Sequence, residues 1–291
     1  MKVCAVVPTY NGIELLSASL GGLAAQTRAL DEIIVVDDHS ADPIEAFVKE
    51  KYSAATYLRL DENTGSAGAY AVGMKYAYDR GYDWLWLIDN DAQPLPDALE
   101  LLLNADCVGN NKLRILCSAV INSDGTIGRG HRLRFDAQRL CKRDVDMADY
   151  GRSRFGIDLA SFPGQMISRE VITRIGLPRA ELFLQWDDFD YCLRLGKEGG
   201  EILVIPASKI IHDEGSSSAV QREYYSIRNR LFVYREHFGC TVAFARHAAG
   251  LFIRRVGRIA LSQDQKGKRM RITVLAFRDG LGGRLGKYNY E

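Results

Sequence analysis

The sequence of 291 residues predicts an α/β protein, a mostly parallel sheet with helices on both faces, followed by a basic helical extension at the carboxyl end. Two patterns predict it. Short apolar runs bounded by turn-forming residues alternate with stretches of helical spacing through most of the chain. Charge is also segregated: residues 215–291 carry 15 Lys and Arg against 5 Asp and Glu, leaving 23 against 32 before them, so a net charge of +1 conceals parts of +10 and −9. The shift predicts a division into residues 1–215 and 216–291.

The first run, KVCAVV at residues 2–7, and the second, IIVV at 33–36, read as buried parallel strands because β-branched residues dominate both. Between them Ile13, Leu15, Leu16, Leu20 and Leu23 recur at helical spacing after Asn11 and Gly12, which supply turn chemistry. The unit repeats as YLRL at 57–60, a polar turn with glycine, a helix over 69–80 and WLWLI at 84–88. Then come a helix over 96–105, a strand RILCSAVI at 114–121 and a turn at 122–125. Residues 129–158 show no clear period and are expected to be irregular or loosely helical. Beyond them the spacing predicts a helix over 169–175 closed by Gly176, another opening near Trp186, a strand EILVI at 201–205 and a long helix over 221–238.

Composition narrows the function classes. A chain 47% hydrophobic and 26% charged with 7 prolines is neither disordered nor collagen-like. No apolar run approaches the roughly 20 residues of a membrane span, and the first stops at Pro8, so neither a signal peptide nor a transmembrane helix is expected. Six cysteines (Cys4, Cys107, Cys117, Cys141, Cys192, Cys240) form no CxxC pair; a reducing compartment, the cytoplasm, is expected. The basic extension combines Leu251, Phe252 and Ile253 with Arg254, Arg255, Arg258, Lys266, Lys268, Arg269 and Arg271, which suits peripheral attachment to an anionic membrane surface or, alternatively, a homodimer through these helices. It carries no nucleic-acid-reading motif.

In an open parallel sheet, ligands bind beyond the carboxyl ends of the strands. Three such ends are polar or acidic here: Pro8, Thr9, Tyr10 and Asn11; Asp37, Asp38, His39 and Ser40; and Asp89, Asn90 and Asp91. One carboxylate at a strand end is commonly a helix cap, but several at neighbouring ends repel one another and are commonly reconciled by a divalent cation. The oxygens of Asp89 and Asp91 suit Mg²⁺ or Mn²⁺ bridging two phosphates, and His212, past the strand at 201–205, adds an imidazole that favours Mn²⁺. Asn63 to Gly68 is a small-residue turn, not a GxGxxG fingerprint, which disfavours a dinucleotide site. Acidic residues after Trp186 would by themselves cap a helix. Arg228, in a helix that is otherwise core, is placed to reach phosphate.

The segments VVPTYNG (6–12), QT…DEIIVVDDHSAD (26–42), NTGSAGAYAVGMKYAY (63–78), WLWLIDNDAQP (84–94), FPGQMISREVITRIG (162–176) and WDDFDYCLRL (186–195) together resemble family 2 glycosyltransferases of the Rossmann-like GT-A fold. NTGSAGA with WDDFDY further resembles the galactofuranosyltransferase-like branch, with rhamnosyltransferases close by. The resemblance implies that Pro8, Thr9 and Tyr10 line a uracil site, with core packing as the alternative for Tyr10, and that Asp38 accepts a base N–H. It implies that Asn63, Gly65 and Gly68 let backbone approach the diphosphate or sugar, and that Asp89 and Asp91 hold ribose, sugar and metal. It makes Asp188 the catalytic base, with Asp187 the second choice; the family usually has Glu where Asp187 stands. Trp186 is either a sugar-stacking platform or a core aromatic. The implied activity is inverting, metal-dependent transfer from a UDP-sugar, UDP-galactofuranose foremost, to a hydroxyl of a surface polysaccharide or lipid-linked glycan. The alternatives are a dTDP-rhamnose transferase and a non-catalytic nucleotide-sugar-binding subunit, which would not need both a base and metal ligands.

Overall fold

The computed structural model describes residues 1–105, 113–212, 219–262 and 265–289, without the side chains of 219–221. Cys107 and the expected division at 215/216 fall outside the described residues. The βαβ pattern begins as expected: β1 (Val3–Thr9), α1 (Ile13–Ala24), β2 (Glu32–Asp37), α2 (Ile44–Lys51), β3 (Thr56–Arg59), α3 (Gly65–Asp79) and β4 (Trp84–Leu87). Helix α2 is not among the elements the sequence predicts; it is eight residues long and buries only Ile44 and Val48. Helix α3 starts four residues earlier than its apolar spacing suggests, because the turn residues Gly65 to Gly68 are already its first turn.

There follow β5 (Gln93–Pro94), α4 (Ala98–Leu103), β6 (Arg114–Ile121), β7 (Arg132–Asp136), β8 (Cys141–Asp144), β9 (Phe155–Ile157), β10 (Leu159–Ala160), β11 (Gln165–Ser168), α5 (Arg169–Ile175), α6 (Asp187–Lys197) and β12 (Glu201–Ile211). Three helices close the chain: α7 (Ala219–Phe238), α8 (Val242–Leu261) and α9 (Lys266–Gly282). The main sheet runs β3-β2-β1-β4-β11-β6-β12-β5, with β9 beside β12. Strands β3, β2, β1 and β4 are mutually parallel, and β6 is parallel to β12; β11 is antiparallel between β4 and β6.

Residues 129–158 depart from expectation. Rather than irregular or loosely helical, they include β7, β8 and β9 and a 3₁₀ turn at Met147–Gly151, and β7 and β8 join β10 in a small antiparallel sheet ordered β10-β7-β8. Strands of four or five residues rich in Arg, Lys and Asp, with one face in water, show too few alternations for a period to be read. Strand β12 outruns its expected end at 205 by six residues. Pro206, which has no N–H, falls where the register with β6 shifts between Ile205 and Lys209, and pairing resumes beyond it. That resumption carries His212 to the ligand edge, its N–H donating to the Ile121 carbonyl at 2.9 Å.

Alternate residues of the parallel strands face opposite cores. Cys4, Val6, Ile34, Val36, Leu85 and Leu87 face α3, while Val3, Ala5, Val7, Val35, Trp84 and Trp86 join the side of α1 and α2. Gly73 sets the closeness of α3 to the sheet, since a Cβ there would lie 2.4 Å from Val6. Tyr224, Tyr225, Ile227, Leu231 and Tyr234 of α7 belong to the same core cluster as α3 and α6. Part of the positive charge of the extension is neutralised internally, where Arg255 and Arg269 both meet Glu223, at 2.5 and 2.6 Å.

Candidate active site

The parallel strands β1, β2 and β4 end along one edge, above a cavity of about 880 Å³. Pro8, Thr9, Tyr10, Asp38, Asn63, Gly65, Asp89, Asp91, Asp187, Asp188 and His212 all line it, so eleven residues singled out in the sequence, from six separate segments, converge on one space. Tyr10 is 55% exposed, which rules out core packing for it.

The two aspartates ending β2 divide their work. Asp37 is fully buried and accepts from the Ser40 N–H at 2.8 Å, the Tyr57 hydroxyl at 2.5 Å and Arg59 at 2.6 Å, so it fixes the strand end. Asp38 holds the following turn: Oδ1 accepts from the Thr64 N–H (2.7 Å) and hydroxyl (2.8 Å), and Oδ2 from the Gly65 N–H (2.9 Å). Three of its roughly four acceptor positions are thereby used. Burial nevertheless raises its pKa, outweighing those bonds. Gly68 does not line the cavity; a Cβ there would sit 2.4 Å from Thr64 Oγ1, so its small size admits the threonine that Asp38 grips.

At the end of β4, Asp89, Asp91 and His212 bring one ligand atom each within 4.8 Å of one another. His212 Nε2 lies 3.0 Å from Asp91 Oδ1 and 3.8 Å from Asp89 Oδ2. The Tyr70 hydroxyl donates to Asp89 Oδ1 at 2.5 Å. Burial disfavours the charged imidazole, yet the Asp91 bond and the Asp89 charge prevail and raise its pKa. Two hard oxygens and an imidazole form a donor set that fits Mn²⁺ or Mg²⁺. Nδ1 of His212 is buried with no hydrogen-bond partner among the described residues, and the His131 ring stands edge-on 5.1 Å away.

Asp187 and Asp188 open α6. Asp187 is buried, and burial first, then the neighbouring Asp188 charge, holds its carboxyl well above the usual carboxylate range. Asp188 is partly buried and accepts from the Phe189 N–H at 2.7 Å; burial pushes its pKa up to about 7. A carboxylate poised near neutral pH in a cavity suits a general base. The third acid, Asp190, is structural: its oxygens meet Arg194 at 2.9 Å, Arg179 at 3.2 Å and His237 at 2.8 Å, away from the cavity.

The loop before α6 is strained, with Phe183, Gln185 and Trp186 at φ 65°, 65° and 71°, each left-handed conformation costing on the order of 1–3 kcal/mol. Asn229 offsets this, its amide nitrogen lying 2.8–2.9 Å from the carbonyls of Leu182, Leu184 and Gln185. Arg228 donates to Leu182 O at 2.8 Å, to Gly286 O at 2.5 Å and to Asn229 Oδ1 at 2.7 Å. From the other side Gly65 at φ +74° presses on the loop: a Cβ would lie 2.0 Å from the Phe183 carbonyl.

Two expectations are corrected. Arg228 is 1% exposed, its guanidinium taken up by carbonyls of the protein, so it holds backbone and not phosphate. Trp186 is 4% exposed and packs edge-on to Phe189 and Tyr234 at 5.4 and 5.2 Å, so it is a core aromatic, not a sugar platform. Its left-handed backbone turns the ring inward as it presents the two acids behind it. The cavity also contains Arg129, His131, Phe183, Gln185, Arg222 and Lys287, which were not singled out. Only the proximity of Phe183 and Gln185 to the WDDFD segment signalled any of them.

A nucleotide-scale cavity at the ends of parallel strands, with a carboxylate pair facing an Asp, Asp, His cluster, is the arrangement of a GT-A glycosyltransferase. The fold agrees with solved structures: the chain superposes on the crystal structure of GalNAc-T7 with UDP, GalNAc and Mn²⁺ with a TM-score of 0.66, 15% identity, and coverage of 97% of this chain and 57% of that one. The crystal structure of S. aureus TarS 1-349 in complex with UDP matches at a TM-score of 0.56 and 15% identity, over 97% and 72%. The family model for glycosyl transferase family 2 matches residues 4–172, and the chain belongs to that family. Galactofuranosyltransferase GlfT1 of Mycolicibacterium smegmatis is 31% identical over 204 residues, 68% of this chain and 66% of that protein, so the match spans slightly less than two thirds of that relative. The dTDP-rhamnosyl transferase RfbF of Shigella flexneri is 24% identical over 304 residues, 100% of this chain and 99% of that protein.

Proposed function

We propose that the chain is an inverting glycosyltransferase that moves a sugar from a UDP-sugar, UDP-galactofuranose foremost, to a hydroxyl of a growing surface polysaccharide or lipid-linked glycan. The observation that carries this is the convergence of Asp188 with Asp89, Asp91 and His212 on one cavity. Asp188 takes the proton of the acceptor hydroxyl as that oxygen bonds to the anomeric carbon. The bond from that carbon to the diphosphate breaks on the opposite face, its electron pair leaves with the nucleoside diphosphate, and configuration inverts. Burial and the Asp188 charge hold the Asp187 carboxyl well above the usual carboxylate range, which favours Asp188 as the base of the pair. Asp89, Asp91 and His212 would hold Mn²⁺ in preference to Mg²⁺; such an ion supplies charge stabilisation of the departing diphosphate. Pro8, Thr9 and the exposed Tyr10 form the wall for the base, and the small-residue turn at Asn63, Gly65 and Ser66 lines the cavity on the side of the phosphates.

The galactofuranosyl donor is supported by the GlfT1 relative and by NTGSAGA with WDDFDY; a dTDP-rhamnose donor is supported by the full-length match to RfbF. Calorimetric titration of UDP, dTDP, UDP-galactofuranose, UDP-galactopyranose and dTDP-rhamnose, with Mn²⁺ and then with EDTA, separates them. Metal-dependent UDP binding with furanose preferred over pyranose is the expected result. Preference for dTDP moves the assignment to rhamnose, and absence of nucleotide binding overturns the enzyme.

We further propose that residues 1–215 carry the catalytic acids and the metal site while α8, within residues 216–291, holds the protein to an anionic membrane. Supporting this, Val242, Ile253 and Leu261 of α8 are 70%, 69% and 88% exposed on a helix that also bears Arg246, Arg254 and Arg258. No helix among the described residues is long and apolar enough to cross a membrane. Co-sedimentation with phosphatidylglycerol vesicles that fades with added salt is expected; a concentration-dependent doubling of mass with no vesicle binding would assign the face to a homodimer.

A further inference from the structure

We propose that Lys287 is a donor-binding residue, delivered by the segment after α9 to bind a phosphate of the nucleoside diphosphate. This rests on the donor reading above. Residues 284–289 leave the helical extension and return to the cavity, which Lys287 and Tyr288 line. Backbone on both sides of Lys287 is anchored. The Gly286 N–H donates to the Glu181 carbonyl at 2.7 Å and the Gly286 carbonyl accepts from Arg228 at 2.5 Å. The Tyr288 N–H donates to the Tyr225 hydroxyl at 2.9 Å, and the Tyr288 ring stacks on Tyr224 with centroids 4.3 Å apart. Gly286 sits at φ +94° with open space where a Cβ would be, so the backbone conformation, not crowding, calls for glycine at the bend.

The bend sets the ammonium of Lys287 over the turn that leads into α3. Nζ lies 3.4 Å from the Asn63 carbonyl and 5.8 Å from the Phe183 ring centroid, and its charge reaches Asp38. One long bond to a carbonyl leaves two of its three donors for a ligand. Cavity charge points the same way: five carboxylates line it (Asp38, Asp89, Asp91, Asp187, Asp188), against the cationic side chains Arg129, Arg222 and Lys287. A diphosphate entering among those carboxylates needs cations, and Lys287 stands on the wall formed by Asn63, Gly65 and Ser66, where the N–H groups of Thr64 and Gly65 are already taken by Asp38 and the lysine supplies the donors they cannot.

The test is calorimetric titration of UDP and of uridine, both with Mn²⁺, into the full chain and its Lys287→Met and Lys287→Arg variants, with thermal unfolding to establish that the variants fold. Loss of one charge-assisted bond should weaken UDP binding roughly tenfold or more in Lys287→Met, leave uridine binding within about twofold, and be largely restored in Lys287→Arg. Equal weakening of UDP and uridine, or unchanged UDP binding in Lys287→Met, overturns the inference and leaves the donor reading standing. Wild-type protein that binds neither ligand overturns the donor reading itself.

Discussion

The two sides of the cavity are built by different means. On the β1, β2 and β4 side, each functional residue occupies one of the last two positions of its own strand or follows it by one to four, so the strand edge sets where it stands. On the α6 side, Asp187 and Asp188 are set by a strained loop whose carbonyls are gripped by Asn229, 44 to 47 residues later, and whose other face meets Gly65, more than a hundred residues earlier. The first side is a property of the sheet. The second exists only when α3, α7 and the segment after α9 have docked. Donor binding should therefore tolerate damage that abolishes catalysis.

The sharpest separation is expected from Asp188→Asn. Losing the base should lower turnover by about 10²–10⁴-fold, with UDP affinity in Mn²⁺ nearly unchanged. Two pH effects accompany it. Transfer by the wild type should fall as pH drops through the ionisation of Asp188, which burial has pushed up to about 7 and which a bound cation would draw lower. A carboxyl raised in the folded state costs stability as pH climbs from its ordinary value of 3.8 toward 7, so Asp188→Asn should melt above wild type at pH 8. A variant that melts lower at that pH would contradict the assigned environment.

Asp190, two residues on and so on the other side of α6, should give the opposite pattern. Its removal leaves Arg179, Arg194 and His237 facing an empty position, so Asp190→Ala should cost roughly 3–5 kcal/mol in urea unfolding. Asp190 is lowered in the folded state: burial opposes its charge, but the His237 bond and the two arginines prevail. Its stabilisation is thus complete above its ordinary 3.8 and lost as pH falls through the lowered value, and the variant's stability should vary less with pH across that acid range. Asn229→Ala comes next, with about 1–3 kcal/mol lost as three carbonyls lose their donor. Turnover should fall about tenfold more than UDP affinity. Equal losses in both would mean that Asn229 supports the fold generally and not the base.

The contrast also explains what was legible. Strand ends at 8–11, 37–40 and 89–91 announce themselves because a buried parallel strand is a continuous apolar run and the ligand edge begins where it stops. The WDDFD acids were visible, but not that the first and second face the cavity while the fourth residue along is a buried ion-pair anchor; that sorting depends on Arg179, Arg194 and His237. The β7, β8 and β10 sheet stayed hidden because β7 and β8 are short and largely polar, and the two-residue β10 pairs with β7 from more than twenty-five residues away. Arg228 looked like a phosphate ligand because charge is visible in a sequence and the carbonyls that satisfy it are not.

The smallest effect is expected from the two aromatics whose assignments the structure decides. Tyr10, for which core packing was the alternative, is 55% exposed on the cavity wall, and Trp186, a candidate platform, is 4% exposed inside the protein. An aromatic that only contacts a base face contributes to affinity and almost nothing to folding. Tyr10→Ala should therefore weaken UDP and uridine alike, by about fivefold to tenfold, and leave the melting temperature unmoved. Trp186→Phe should do the reverse, losing about 1–2 kcal/mol of stability with little change in UDP affinity. Trp186 closes the gap between α6 and α7, so its loss should lower turnover only as far as the Asp188 loop loosens. If Trp186→Phe weakened UDP binding more than Tyr10→Ala did, the base-binding wall would have to be moved from the end of β1 to the start of α6.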